Sequence, residues 1–483
     1  MNTIKLASAI LVLIAMAAPA VAVEFEFHGD MNNRFLIYTN RQDWLNNEQQ
    51  GIIEDKTIEA YYGELKYRFW FEAADDDGKV KGVYAVEIGG IRFGEGTDGD
   101  FSGDGVDVET RWAYFDFQTP WVEPKMRWRM GLTPWNINSF YWQETATGLT
   151  LYGDLGERFD YQAAWIRPLD KLATNEDADE LDDLDILYGR LNVDPTEKLK
   201  VGLFGLYFHS KENVGDPADE DDVTGPRQWL VKAFDDRASF DMYTLGLDGS
   251  WSPGNFFLNW DLVYQGGEIN DIIWDPNAKN LDGDFTSEDT FTDRTATGND
   301  FDLSAWFVHA DAGYKFGDHK LTYTFWYASG DDDPNDDDFE GYLAVDLDRD
   351  DNISIFEGLY TDDSTYFTER PYMLDKGFIM NKIGWDYQVN EKTTVGAAGM
   401  YMMTAEDIEY TDIAGANSYS NDEIGFELNG YLKYMLFTNV EFKINAGYLW
   451  AGDALDAFET GDDRDGNSDE NIFGSSFRIR YKF

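Results

Sequence analysis

The sequence predicts an all-β fold, a transmembrane antiparallel β-barrel of about eighteen strands with sixteen as the next count, carrying short periplasmic turns and long acidic external loops. Three observations point there: an alternating C-terminal segment, the lack of a membrane helix, and a regular order of connection lengths. The chain ends Phe477-Arg478-Ile479-Arg480-Tyr481-Lys482-Phe483. In a strand Phe477, Ile479, Tyr481 and Phe483 point one way, and Arg478, Arg480 and Lys482 the other, so one face suits lipid and the other water. A half-buried strand of a soluble sandwich alternates too, so the rest of the chain has to decide.

The N-terminus bears on the compartment. Lys5 precedes an apolar run over residues 6–18 that is too short for a spanning helix, and Ala20-Val21-Ala22 supplies the small-x-small pattern that signal peptidase cleaves. Residues 1–22 therefore read as a signal peptide and residues 23–483 as one barrel domain. No later stretch approaches about twenty consecutive apolar residues, and the mean hydropathy is -0.48, so any membrane span has to be β. Cysteine is absent, which excludes disulfides, thiolate metal sites and haem attachment through Cys-x-x-Cys-His. Aromatic residues reach 16% while charged residues still make up 27%, a combination that aromatic girdles, a wet lumen and wet loops require together. No Pro-rich or Ser-rich linker divides the chain.

The strands follow in order from their two-residue period. The first, about Val23 to Tyr38, sends Phe25, Phe27, Met31, Phe35 and Ile37 outward and Glu24, Glu26, His28, Asp30 and Arg34 inward. The second, about Thr57 to Glu72, sends Tyr61, Leu65, Tyr67, Phe69 and Phe71 outward, with Glu64, Lys66 and Arg68 inward, and turns at Asp75-Asp76-Asp77-Gly78. The same pattern marks strands near 79–93, 108–118, 125–134, 146–154, 158–167, 184–193, 198–210, 239–251 and 256–267. It continues near 301–315, 320–329, 376–388, 393–405, 422–435, 440–451 and 472–483. Turns at 119–123, 194–197, 252–255, 316–319, 390–392 and 437–439 are tight, whereas the connections at 211–238, 268–300, 330–375 and 452–471 are long. An even number of strands leaves both termini on the short-turn side.

With its closing aromatic strand and this order of turns and loops, the chain after residue 22 resembles the porin superfamily of Gram-negative outer membranes. Its strand count resembles the eighteen-stranded members: the maltoporin-like, basic-amino-acid-channel and alginate-export groups. The resemblance is architectural, and no short motif chooses among those groups. It implies a water-filled channel in the outer membrane, narrowed by an inward-folded third external loop, that passes small hydrophilic solutes and ions by passive diffusion. A channel preferring carbohydrate or an anionic polymer, and a non-conducting calcium-binding surface barrel, remain as alternatives. The implied partners are outer-membrane lipid and lipopolysaccharide, small hydrophilic solutes, the barrel assembly machinery and further copies in a homotrimer. Nucleic acid is not an expected partner.

Charge is the strongest compositional signal, with a formal net charge of -55. Residues 331–374 contain fifteen Asp and Glu against Arg349 and Arg370. Such loops are either a solvated surface sharing divalent cations with lipopolysaccharide or a vestibule that concentrates cations. In the lumen, parity places Arg34, Lys66, Arg68, Lys125, Arg127, Arg129, Arg190, Arg478, Arg480 and Lys482 inward, most of them on strands that adjoin once the barrel closes. This basic wall resembles the arginine ladder of porin eyelets; alternatively its cations neutralise inward Glu64, Glu87, Glu427 and Glu441. The third external loop follows Gly131 and carries Trp135, Phe140, Tyr141 and Trp142, with Glu144 its single formal charge. These aromatics either guide sugars by their ring faces, as in maltoporin-like channels, or pack against the barrel wall. Catalysis has little support: His28, His209, His309 and His319 are scattered, and Ser304 and His309 are five apart, on opposite faces of a strand.

The most specific local motif lies at residues 346–357. Asp346, Asp348, Asp350, Asn352, Ser354 and Glu357 match the ligand positions of an EF-hand calcium loop, with Ile353 at the eighth position. Asp351 stands where the sharp turn favours glycine, and acidic repeats arise easily in so acidic a chain. A Ca2+ ion here is the one cofactor the sequence suggests. Extracellular modules bind calcium at about 0.1–1 mM. Calcium in that range should therefore protect the 330–375 connection from external protease, and Asp346→Ala with Glu357→Ala should abolish the protection while the barrel stays folded. Equal cleavage with calcium and with chelator would leave the segment a solvated acidic loop.

Overall fold

Period-2 alternation commits a segment to extended backbone with two unlike faces, and successive segments of this kind pair most readily with their neighbours in sequence. The computed structural model describes residues 23–39, 59–94, 106–168, 184–210, 239–272, 299–345 and 376–483, apart from positions 76, 107, 123–124, 334–335, 413–414, 416, 459–464 and 469–470. β1 (Val23–Thr39) and β2 (Glu59–Asp75) pair along all of their 17 residues. β3 (Val80–Arg92), β4 (Val108–Gln118), β5 (Met126–Pro134), β6 (Thr145–Asp154) and β7 (Phe159–Ile166) follow, each antiparallel to the strand before. The opposite side is built from β8 (Asp185–Thr196), β9 (Leu199–Ser210), β10 (Ser239–Trp251), β11 (Phe256–Ile272), β12 (Asn299–Phe316) and β13 (His319–Ala328). A two-residue strand, β14 (Asp338–Phe339), lies parallel to β12. β15 (Phe378–Asn390), β16 (Thr393–Thr411), β17 (Ser418–Phe437), β18 (Val440–Ala451) and β19 (Ile472–Lys482) complete the circuit.

β19 pairs with β1 from Asp30↔Lys482 to Thr39↔Phe473, so the sheet has no free edge. The result is a closed antiparallel barrel of eighteen strands, the count the sequence predicts, and β14 stands outside that circuit. Several strands outrun the alternating pattern. β16 and β17 reach Thr411↔Ser418 after an irregular register between Met403 and Ile408, because ladder pairing continues through polar residues that hydropathy patterning does not mark.

The two faces separate as the alternation requires. Phe25, Phe35, Ile37, Tyr61, Phe71, Leu187, Leu203, Trp306 and Ile383 are exposed on the outer surface. Inside, the buried residues come from the inner face together with segments that fold into the lumen: residues 135–146, residues 339–345 and the 3-10 turn Asp453–Phe458.

The seam has a specific lock. Gly29 and Phe483 exchange backbone hydrogen bonds, N–H to carbonyl in both directions, each at 3.0 Å. A side chain at Gly29 would place its Cβ 2.4 Å from Cζ of Phe483, so the terminal ring lies over the notch that glycine leaves. That ring also meets Phe27 edge-on at 5.4 Å and Tyr481 at 4.9 Å. Deleting Phe483, or replacing Gly29 by leucine, should lower the yield of heat-modifiable barrel in the membrane fraction several-fold while leaving secretion intact. Undiminished barrel from both variants would contradict this account of the seam.

Candidate functional site

β5 ends where Pro134 cannot extend the ladder, just after Gly131 has adopted a φ of 124° that brings its backbone against Ala113 and Tyr114 of β4. The chain then turns into the lumen as a small hairpin. Trp135 N–H donates to the Glu144 carbonyl (3.0 Å), Ile137 N–H to Trp142 (3.1 Å), and both Tyr141 and Trp142 N–H to Asn138 (3.1 and 2.9 Å). The Asn138 side chain fixes the tip: Oδ1 accepts from Phe140 N–H at 2.9 Å, and Nδ2 donates across the barrel to Asp261 Oδ1 of β11 at 2.7 Å.

The tip is anchored on the far wall by its aromatic rings. Phe140 lies 4.9 Å from Phe307, 4.3 Å from His309 and 4.9 Å from Trp326, ring centre to ring centre. Tyr141 Oη accepts from Thr244 at 3.1 Å, and Trp142 stacks obliquely 6.0 Å from Phe208. A second segment, following β13, closes over this hairpin. Tyr342 Oη donates to the Phe140 carbonyl (3.3 Å), Val345 N–H donates to Tyr141 (2.8 Å), and the Gln265 side chain pairs with both backbone groups of Leu343 at 2.8 and 2.9 Å. Such bonds are worth about 0.5–1.5 kcal/mol each when buried and satisfied. Trp135, Phe140, Tyr141 and Trp142 are 0–3% exposed. They pack against the wall and present no ring face to a passing solute. Glu144, half-buried at the base of the hairpin, accepts from Thr145 N–H at 2.5 Å.

The remaining wall is charged, and its cations gather around shared carboxylates. Arg34 pairs with Glu64 at 2.6 Å, both buried. Lys66, Arg68 and Arg111 converge on Glu87 at 2.8, 2.5 and 2.7 Å. Arg127 and Arg129 share Asp116 at 2.7 and 3.2 Å, and Tyr152 Oη donates to the same carboxylate at 2.6 Å. Across the seam Arg480 and Lys482 flank Asp30, while Arg478 and Lys433 flank Glu441 at 2.9 and 2.6 Å. Of the inward carboxylates, Glu64, Glu87 and Glu441 are thus each paired with one or more of these cations. Glu427 accepts from Asn429 Nδ2 at 2.7 Å.

Arg190 faces the lumen as its parity requires, and Lys125 departs from the parity reading. Arg190 belongs to the opposite wall, where it donates to Asp248 Oδ1 at 2.6 Å and to the hairpin's Ile137 carbonyl at 3.2 Å. Lys125 lies exposed at the turn before β5. Arg111 joins the basic wall although alternation did not select it, because Ala85 faces Trp112 while Val86 faces Thr110, and the extra residue between them turns inward. The opposite wall carries Asp160, Asp248, Asp261, Asp311 and Asp386 on its inner face. His309, 2% exposed, sits there with Nδ1 2.8 Å from Asp261 and Nε2 3.5 Å from Asp311. Ser304 points outward, away from it. Among the described residues no cluster of His, Asp or Glu is arranged to hold a metal ion. The calcium motif Asp346, Asp348, Asp350, Asn352, Ser354 and Glu357 lies outside the described residues.

No family model matches this sequence, and no curated protein matches it. Among solved structures the chain is similar to OpdL of Pseudomonas aeruginosa, with a TM-score of 0.51 and 11% identity over 95% of this chain and 99% of that one. It is also similar to OccK8 (OprE) of the same organism, with a TM-score of 0.50, 10% identity and coverage of 95% and 98%. OprD of that organism matches at a TM-score of 0.50 and 12% identity over 95% of each chain. At such identity the likeness is one of fold. The barrel has the eighteen-stranded porin architecture of the Occ/OprD structures, and the maltoporin-like and alginate-export groups gain no support from it.

The hairpin anchor is open to a direct test. Truncating a buried Phe costs about 3–5 kcal/mol. Phe140→Ala should therefore speed hydrogen exchange at the amides of residues 137–142 and lower the unfolding temperature, whereas Trp121→Ala, at a site 99% exposed, should change neither.

Proposed function

We propose that the chain is an outer-membrane porin of a Gram-negative bacterium that lets small hydrophilic solutes and ions diffuse passively. The observation that carries this reading is the unequal filling of the lumen. On the long-loop side of the hairpin the wall from β9 to β13 is sealed by the hairpin and the second segment, with Phe208, Met242, Thr244, Gln265, Phe307 and Trp326 all 0% exposed. The basic wall stays open, its Arg68, Arg127, Arg129 and Arg480 side chains retaining 24–30% exposure. A polar strip left uncovered along a closed barrel is what a hydrated path requires.

The apolar outer surface, with no free sheet edge, fits a lipid environment, where every backbone polar group needs an internal partner. Within the path, cations on one side and carboxylates on the other set up a transverse field that orders water and sorts polar solutes by dipole and charge. No energy source and no catalytic residue are needed. A preference for carbohydrate is a second reading, and the polar recess described below favours it.

Stepwise conductance in a planar bilayer tests the proposal, and its persistent absence from correctly folded protein would favour a non-conducting surface barrel. External loop charges are screened beyond about 8 Å at physiological ionic strength, whereas those in a narrow lumen are screened less. The acidic loops and the basic wall therefore oppose one another, and a weak cation preference is expected. Arg127→Gln with Arg129→Gln should strengthen it, read as a shift of the reversal potential in a salt gradient. Strong anion selectivity of the unaltered chain would refute the influence of the acidic loops.

A further inference from the structure

On the short-turn side of the hairpin, a cavity of about 540 Å³ lies between hairpin residues 136–139 and the inner face of β7–β11. That volume falls within the roughly 300–1,000 Å³ typical of small-molecule sites. Within the lining one carboxylate, Asp248, is paired with Arg190, and two more, Asp160 and Asp261, are held by side-chain amides. Arg190 donates to Asp248 at 2.6 Å and to Asn192 Oδ1 at 2.7 Å, Asn192 Nδ2 donates to Asp160 at 2.7 Å, and Asn138 donates to Asp261 at 2.7 Å.

Around these pairs the lining is amide and hydroxyl: Asn136, Ser139 and Gln143 from the hairpin, Ser250 and Asn259 from the wall. Trp260 borders the cavity only through its backbone, because its ring lies on the outer face over Gly249, 2.2 Å from where a Cβ would stand. The recess thus interleaves donors with acceptors, and its aliphatic lining is confined to Ile137 and Val201. An anion entering it would meet the carboxylates of Asp160, Asp194, Asp248 and Asp261 while Arg190 is already engaged by Asp248. An ammonium group would meet Arg190 and Lys200. A hydroxyl both donates and accepts, and a ring of hydroxyls satisfies such a lining without leaving a charge unpaired.

We infer that this recess is a binding subsite for a neutral polyhydroxylated solute of about monosaccharide size. The inference rests on the channel reading and deepens it: the solute pauses beside the path, on the wall opposite the arginines. Conduction needs such binding to be weak enough for release, so half-saturation falls in the millimolar range.

The test uses the full-length barrel in an amine-oxide detergent, so that no sugar headgroup competes. Glucose is titrated by calorimetry, with gluconate and tetraethylene glycol as controls. Glucose should bind about tenfold more tightly than either control, the equivalent of about one or two well-made hydrogen bonds. Asn259→Leu, which fills the recess from the wall, and Asn136→Leu, which fills it from the hairpin, should each weaken glucose binding at least several-fold. Should one variant fail to fold, the other and the wild-type comparison with controls decide the matter. Gluconate binding as tightly as glucose means an anion site, tetraethylene glycol binding as tightly means volume alone, and unchanged affinity in the folded variants places the sugar elsewhere; each overturns the inference. Conductance of the same preparation separates the two readings. A barrel that binds glucose without conducting overturns the channel and leaves the subsite, whereas one that conducts without binding glucose overturns the subsite alone.

Discussion

A long sheet whose outer face is apolar has nowhere to leave an open edge, and the ladder between β1 and β19 is the contact on which everything else depends. Closure fixes which strands are neighbours, and so which side chains share a wall. Arg34 meets Glu64 on one flank and faces Arg478 on the other only because the last strand lies against the first. The basic wall is therefore a product of closure: its members come from the two ends of the sequence, and an open sheet would leave them on opposite edges.

The same closure defines an interior wide enough to be divided. The hairpin after β5 crosses it and docks on β9–β13, and the segment after β13 adds its own backbone to that dock. Burying these aromatics together, at about 1.5–3 kcal/mol for a Phe-sized side chain, sets where the lumen is filled. It also sets, by elimination, where water remains. Solvent is left to the wall whose carboxylates are shared by two or three cations and to the recess on the short-turn side of the hairpin.

Strand identity and facing were legible because the barrel repeats one simple rule, and a residue's parity predicts its side wherever the ladder is regular. Phe477, Ile479 and Tyr481 outward and Arg478 and Arg480 inward needed nothing more. The rule fails where one residue is added: the irregularity between Ala85 and Val86 reverses parity for Arg111, which no count along the sequence reveals. Tyr342, Leu343, Ala344 and Val345 are hidden in the sequence for another reason. They form an apolar run inside one of the most acidic connections, whose average suggests a solvated loop although the run itself has the composition of a buried segment. The far-wall position of Arg190, opposite the other arginines, depends on where the strand sits around the circumference, a property that no local pattern holds.

The hairpin also has a mechanical meaning. A tube braced along one chord resists flattening in that direction and yields more readily at right angles to it. The link from Asn138 to Asp261, stiffened by Phe140 among Phe307, His309 and Trp326, is such a chord, running from the β5–β6 side to the β11–β13 side. Thermal breathing of this barrel is then anisotropic, and its cross-section fluctuates most along the diameter perpendicular to the brace. The width of the crescent left beside the brace is held by an internal strut as well as by the number of staves around it.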